Sequence, residues 1–207
     1  MKCLKALSFA IIIIFNQQKI DAQNCTLTCP SNMIVKADKG QEGAIVNFSP
    51  AVTSGECGPV TYSPTSGSFM RLGSHSVIVT TANGQKCSFT VMVTDNEPPF
   101  LSVITLSSKK LWPASNKMKK VAVYYTTSDN AQTVTSVLSV ISNDTESTSK
   151  DWEIINNHLV RLKASRLPSG APRIYTISVT ATDEAGNKTT RTTSIAVSKT
   201  MTTASSM

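Results

Sequence analysis

Cys87-Ser88-Phe89-Thr90-Val91-Met92-Val93-Thr94-Asp95-Asn96-Glu97-Pro98-Pro99 decides how the chain is read. Its first half alternates Phe89, Val91 and Val93 against Ser88, Thr90 and Thr94, the period of two of a strand with one face in a core and one in water. The two prolines lack backbone donors and hold their φ angles, so a sheet ladder cannot run on through them and the chain must leave extended. Residues 95–99 therefore read as a domain boundary, and a second series of strand-like segments starts directly behind it.

Composition agrees with extended structure on both sides of that boundary. The 207 residues are 40% hydrophobic but only 16% charged, enough for one modest core or two small ones. Thr and Val, which suit strands, are plentiful, while the helix formers Leu and Glu are thin, and no segment sustains a helical period. The net charge of +7 is scattered. Its densest group, Lys117, Lys119 and Lys120, lies among alternating strand residues and reads as a solvated face rather than a nucleic-acid groove.

The N-terminus carries a short positive start, Met1-Lys2-Cys3-Leu4-Lys5, and an apolar run from Ala6 to Phe15, too short to span a bilayer. Residues 1–22 are expected to be a secretory signal peptide cleaved after Ala22. A lipoprotein would need a small residue where Asn24 precedes Cys25. With no other apolar span, the expected location is secreted or extracellular at a cell surface.

Behind the leader stand Cys25, Cys29, Cys57 and Cys87. An even number in a small exported domain reads as a disulfide framework, with three pairings open. A four-thiolate zinc site would need paired CxxC knuckles, and none is present.

In the first domain, residues 23–99, the expected strands are Met33-Ile34-Val35, Ala44 to Phe48, Val60-Thr61-Tyr62 and Ser76 to Thr80, with Ser68-Phe69-Met70 leading into Gly73. Asn83-Gly84 between two alternating runs predicts a tight hairpin, because both residues accept positive φ. Short strands at regular spacing with turn residues between them are the pattern of a β-sandwich.

Cys29-Pro30, Gly40 to Phe48, Ser66-Gly67-Ser68-Phe69, Leu72-Gly73-Ser74-His75-Ser76-Val77 and Cys87 to Asp95, in this order and spacing, resemble a hyalin repeat domain. The match covers about a third of the chain and nearly all of this domain. It implies an immunoglobulin- or fibronectin-III-like sandwich of the kind found in extracellular adhesion proteins. It also implies the cysteine pairing, since simpler members keep the cysteine of the Cys-Pro motif and the one opening the last strand: Cys29 with Cys87, leaving Cys25 with Cys57. Many bacterial copies carry a further cysteine pair at the positions of Tyr62 and Val79 here.

The second domain, residues 100–199, opens with a strand from Leu101 to Leu106, followed by Val121 and Val123 in alternation, Val134 to Ile141, and a hairpin from Trp152 to Lys163 across Asn156-Asn157. Tyr175, Ile177, Val179 and Ala181 face one way and Thr176, Ser178 and Thr180 the other, before Asp183 to Asn187 turns into Thr190 to Val197. Leu111-Trp112-Pro113, Lys117-Met118, Tyr175-Thr176-Ile177 and Thr182 to Asn187 resemble a bacterial extracellular immunoglobulin-like module. Residues 200–207 read as a flexible tail. The fold expected is all-β, two immunoglobulin- or fibronectin-III-like sandwiches in tandem.

Catalytic patterns are missing. His75 and His158 have no acid and nucleophile beside them in sequence, no HExxH or GxSxG occurs, and the Ser-x-x-Lys spacings at Ser107 and Ser147 lack their partner motifs. Asp95-Asn96-Glu97-Pro98-Pro99 resembles the junction between cadherin repeats, but one segment offers about three oxygens where calcium takes six to eight. It reads as a polar turn before a proline hinge, and Asp183 with Asn187 as an Asx or type I turn. Trp112 and Trp152 are expected to fill the core. Asn24, Asn47, Asn143 and Asn187 head N-x-[ST] sequons.

The expected function is therefore a non-catalytic extracellular adhesion or structural module with a protein or glycan ligand. It has no metal or other cofactor, no nucleic-acid partner and no integral membrane span. The alternative is a carbohydrate-binding accessory protein using exposed aromatics.

Overall fold

The structure is a computed structural model that describes residues 25–130, 133–146 and 150–199. The expected signal peptide and C-terminal tail lie outside the described residues. The described residues are all-β, without a helix, and build two immunoglobulin-like sandwiches in tandem.

The first sandwich uses β1 (Thr26–Thr28), β2 (Met33–Lys36), β3 (Gly43–Val46), β4 (Val52–Ser54), β5 (Val60–Ser63), β6 (Ser68–Arg71), β7 (Gly73–Thr81) and β8 (Lys86–Thr94). One sheet has the order β2-β8-β7-β5, faced by the pair β3-β6, with β1-β4 at one end. Alternation along β8 buries Phe89, Val91 and Val93, which join Ala44, Val46, Met70, Val77 and Val79 in a core of eight buried side chains. Tyr62 and Val79 face each other across β5 and β7, and the Tyr62 hydroxyl accepts a 2.8 Å bond from the Ala51 amide.

The second sandwich uses β9 (Phe100–Leu101), β10 (Thr105–Leu106), β11 (Lys110–Leu111), β12 (Met118–Tyr124), β13 (Thr127–Ser128), β14 (Val134–Ser142), β15 (Trp152–Asn156), β16 (Leu159–Lys163), β17 (Ile174–Asp183) and β18 (Lys188–Val197). Its sheets run β10-β12-β16-β15 and β11-β18-β17-β14, with β9-β13 beside them. Sixteen buried side chains form its core, twice as many as in the first, with Tyr175, Ile177, Val179 and Ala181 as the inward row of β17.

Both sandwiches open in the same way. An early strand pairs antiparallel with a later one (β1 with β4, β10 with β12), and the next strand in the chain lies parallel to the closing strand of another sheet (β2 with β8, β11 with β18). This change of sheet ties the sheets together at their edges.

Several local expectations change. Only Gly84 of the Asn83-Gly84 pair has positive φ (89°), so the β7–β8 connection is a longer loop, closed by the Thr81 amide on the Gln85 carbonyl at 3.0 Å. The second hairpin turns at Asn157-His158, one residue late. Neither residue has positive φ, and a register shift at Ile154/Asn156 absorbs the mismatch with the strand twist. The strand expected from Leu101 to Leu106 is two pieces, because the Ser102 hydroxyl takes the Thr126 amide (2.9 Å) in place of a ladder carbonyl. Trp112 is 42% exposed, not core: alternation sends Leu111 inward, and the chain leaves β11 at Trp112. Trp152 does pack on the core, edge-on to Tyr175 with ring centroids 6.4 Å apart.

Candidate functional site

The junction between the sandwiches gathers polar groups from four chain segments. Asp95 directly follows β8, and its Oδ1 accepts the Glu97 amide at 3.0 Å, which folds the connector into an Asx-type turn. Glu97 reaches back, its Oε2 accepting the Gly40 amide at 2.8 Å. The prolines then deliver the chain to β9. Antiparallel pairing of β9 with β13 sets Thr127 opposite Leu101, so that Asp129, just past β13, returns to the connector. Asp183 arrives from the far end of β17, where it continues the inward row of Tyr175 to Ala181. The Asn187 amide and side-chain Nδ2 donate to its two oxygens at 2.8 and 2.9 Å.

As a result Asp95, Asp129 and Asp183 each offer a carboxylate oxygen within 4.8 Å of the others. This is the metal-capable cluster among the described residues. Asp183 is only 5% exposed and, like Asp95, makes no ion pair with a described residue. Asp95 Oδ2 is sealed from solvent without a hydrogen-bond partner, as is Oδ1 of the neighbouring Asn130. The Asn130 amide Nδ2 meanwhile donates to the Gln41 carbonyl at 2.9 Å, a direct bond between the two sandwiches. Beside the cluster opens a cleft of about 710 Å³ lined by Glu42, Arg71, Thr94, Asp95 and Glu184. Arg71, the cation of that lining, is taken by Glu42 at 2.5 Å.

Sequence reasoning identified both turns separately, and both are present. It missed their meeting and the third acid, because Asp129 stands beside a two-residue strand that carries no period of its own.

The remaining candidates have structural partners. Cys25 is joined to Cys57 and Cys29 to Cys87. His75 Nε2 lies 2.7 Å from the Arg71 carbonyl, and His158 stacks on Tyr125 at 4.4 Å with its Nδ1 3.1 Å from the Val123 carbonyl. Ser107 Oγ accepts the Ala122 amide, and Ser147 lies outside the described residues. Asn143 and Asn187 of the sequons are engaged with Ile174 and Asp183, whereas Asn24 lies outside the described residues.

A second charged group is buried inside the second sandwich. Arg173, 6% exposed, pairs with Asp144 and with Asp151 (3.1 Å), Lys163 also holds Asp151 (3.0 Å), and the Arg173 Nη1 donates to the Tyr175 hydroxyl at 3.3 Å. That hydroxyl lies 2.9 Å from the Lys163 carbonyl. Burial raises the Tyr175 pKa, against a lowering from Arg173. Burial also works to lower that of Arg173, but Tyr175, Asp151 and Asp144 outweigh it and hold it above its ordinary value. The group is enclosed in protein and clamps the segment before β15 to the start of β17, which is a structural task.

No known family model matches the sequence, and no curated protein does. Solved structures similar to the described chain include the extracellular cadherin domains 1–4 of protocadherin gamma B7, at 12% identity and a TM-score of 0.36, over 84% of this chain and 49% of that one. Human mucin-like protocadherin EC1-2 gives the same identity, score and share of this chain, over 97% of its own length. The D00-D0 domain of intimin is 13% identical with a TM-score of 0.23, over 84% of this chain and 98% of that one. The chain thus spans about half of the protocadherin gamma B7 fragment, and likeness at this level brings no ligand or partner with it.

Proposed function

We propose that the chain is an exported, non-catalytic interaction module, secreted or held at a cell surface by its partners. In this reading residues 23–99 form a hyalin-repeat-like domain and residues 100–199 a bacterial-type immunoglobulin-like domain. The observation that carries the proposal is the outer surface of the first sandwich. Ile45 stands opposite Phe69 (59 and 51% exposed) and Ile34 opposite Met92 (76 and 39%). Single exposed apolar residues are ordinary, but cross-strand pairs make continuous apolar surface that a partner can dehydrate. Two disulfides keep these faces rigid and suit an oxidising compartment.

The test is affinity capture from the native extracellular milieu on the immobilised, oxidised chain. The expected result is a protein or glycan retained by the wild type and lost with Phe69→Glu or Ile34→Glu. Retention unaffected by both, or turnover in a screen of esters, glycosides and peptides, overturns the reading.

Trp112 favours a second reading, carbohydrate binding, because at 42% exposed its ring is open to stack on a sugar. Glycan-array binding abolished by Trp112→Ala would support it. A blank array with intact protein capture would leave the first reading in place.

A further inference from the structure

We propose that β14 is the seam of a homodimer, in which the free edge of this strand pairs antiparallel with the same strand of a second copy of the chain. β14 closes its sheet, and among the described residues no strand lies beyond it. The Asn143 amide bonds to the Ile174 carbonyl at 3.0 Å, which sets the phase of the ladder between β14 and β17. Val137, Ser139 and Ile141 therefore bond to β17, and the main-chain groups of Ser136, Leu138 and Val140 point away from it. The Ser136 carbonyl is taken by Asn157 Nδ2 at 2.6 Å. Among the described residues Leu138 and Val140 keep an amide and a carbonyl each on the open side, ready for another strand.

Natural sheet edges are blunted by charge, proline, a bulge or shortness. The other edges of the two four-stranded sheets of this kind follow that rule: β2 ends in Lys36, β15 carries Glu153 and a register shift, β5 has four residues, and β10 and β11 have two each. β14 has nine residues, Val134 to Ser142, with no charge, no proline and no register shift against β17. Its outward side chains also differ from the rest of that face. Thr176, Ser178 and Thr180 of β17 line the face with hydroxyls, whereas Val137 and Ile141 at the edge are apolar and 66 and 62% exposed.

The order of residues along β14 points to a second copy as the occupant. A two-fold axis at Ser139 sets Leu138 opposite Val140 of the second copy, and each such pair exchanges both of its main-chain bonds. The same axis sets Val137 opposite Ile141 of the second copy on the outer face, so both exposed side chains gain an apolar neighbour. An axis at Val140 would set Ile141 against Ser139 and Val137 against Asn143, so the apolar pattern fixes the register. In the Ser139 register the second strand ends at Ser142 opposite Ser136, where Asn157 already closes the edge. A chain of net charge +7 repels its own copy, and this uncharged strand lets two copies meet with no charge set against a like one. The contact is small and of the transient class, with a dissociation constant of about 0.01–1 mM. It does not depend on what the outer surface of the first sandwich binds.

The test is sedimentation equilibrium of the full, oxidised chain from about 0.01 to 1 mM, where a monomer–dimer equilibrium is expected. Ser139→Lys changes an exposed, outward side chain and sets two like charges face to face on the axis, so it should weaken the dimer at least tenfold with an unchanged circular dichroism spectrum. Ile34→Glu, on the outer surface of the first sandwich, should leave the dimer alone. Cross-linking reads the register independently of these variants. Two Ser139 residues form a non-hydrogen-bonded pair with Cα atoms about 4.5 Å apart, so Ser139→Cys should give a disulfide-linked dimer on mild oxidation. Val137→Cys should not, because its two copies lie about 14 Å apart along the strands. A chain that stays monomeric at about 1 mM leaves the edge to a strand of another protein and overturns the proposal. So does a dimer that survives Ser139→Lys, one that is lost with Ile34→Glu, or equal cross-linking of the two cysteine variants.

Discussion

At the scale of single residues, the strongest determinants are two buried or tightly approached groups that no alternation pattern announces. Arg173 is 6% exposed, and its guanidinium balances Asp144 and Asp151, which are themselves largely enclosed. Arg173→Met would leave Asp144 a buried charge without its partner, and removing one side of such a pair costs about 3–5 kcal/mol. Urea unfolding should report that loss in the second sandwich. Tyr175 adds a pH dependence. Its pKa is raised by burial, so the folded chain holds the phenolic proton more tightly than the unfolded chain, whose tyrosines titrate near 10. The native state therefore binds more protons between the two values, and stability falls as pH climbs. The contribution is complete below about pH 10 and drains away from there through the folded value. Wild type should lose stability more steeply than Tyr175→Phe as the pH rises above about 10, and parallel curves would refute this origin of the slope. Gly43 is a case of close approach rather than of φ. A Cβ there would sit 2.1 Å from the Met70 carbonyl oxygen and 2.8 Å from the Arg71 Cα, both backbone atoms. Gly43→Ala should force β3 off β6 and cost about 1–3 kcal/mol, as overpacking does. A variant as stable as wild type would mean the pair has room to part.

At the scale of elements, legibility followed length and alternation. β7, β8, β14, β17 and β18, each nine or ten residues, were readable because one face is buried and a one-residue slip would expose it. β1, β4, β11 and β13 were not anticipated. They have two or three residues each, and β4 is exposed throughout, so no period exists to detect. What holds such pieces is tertiary: β1 lies on β4 between the cysteines of the Cys25–Cys57 bridge. The acid cluster was illegible for the same reason. Asp95 and Asp183 end long strands and could be seen as turns, but their meeting depends on β9 and β13, two-residue strands whose register comes from packing. Trp112 failed as a core residue because an apolar neighbour in sequence does not fix which side of a short edge strand a ring occupies.

At the scale of the whole molecule, the two sandwiches share an architecture but not a means of support. The second buries sixteen core side chains and has no cysteine, whereas the first buries eight and has both disulfides. Hydrophobic burial in the first is thus about half that of the second, while the chain entropy to be overcome differs far less. The bridges offset the difference. Closing spans of 58 and 32 residues removes unfolded-state freedom worth about 4 kcal/mol each in the chain-entropy model, a large part of the 5–15 kcal/mol typical of a whole domain. Reduction should then act on one half of the molecule. Scanning calorimetry of the chain with a strong reductant, and of Cys29→Ser/Cys87→Ser without it, should move the first sandwich's transition down by about 15 °C or more. The second sandwich's transition should stay in place, since no covalent staple is lost there. A single transition that slides as one under reduction would mean the halves unfold cooperatively, so that the junction couples them far more tightly than a proline connector and a few hydrogen bonds can.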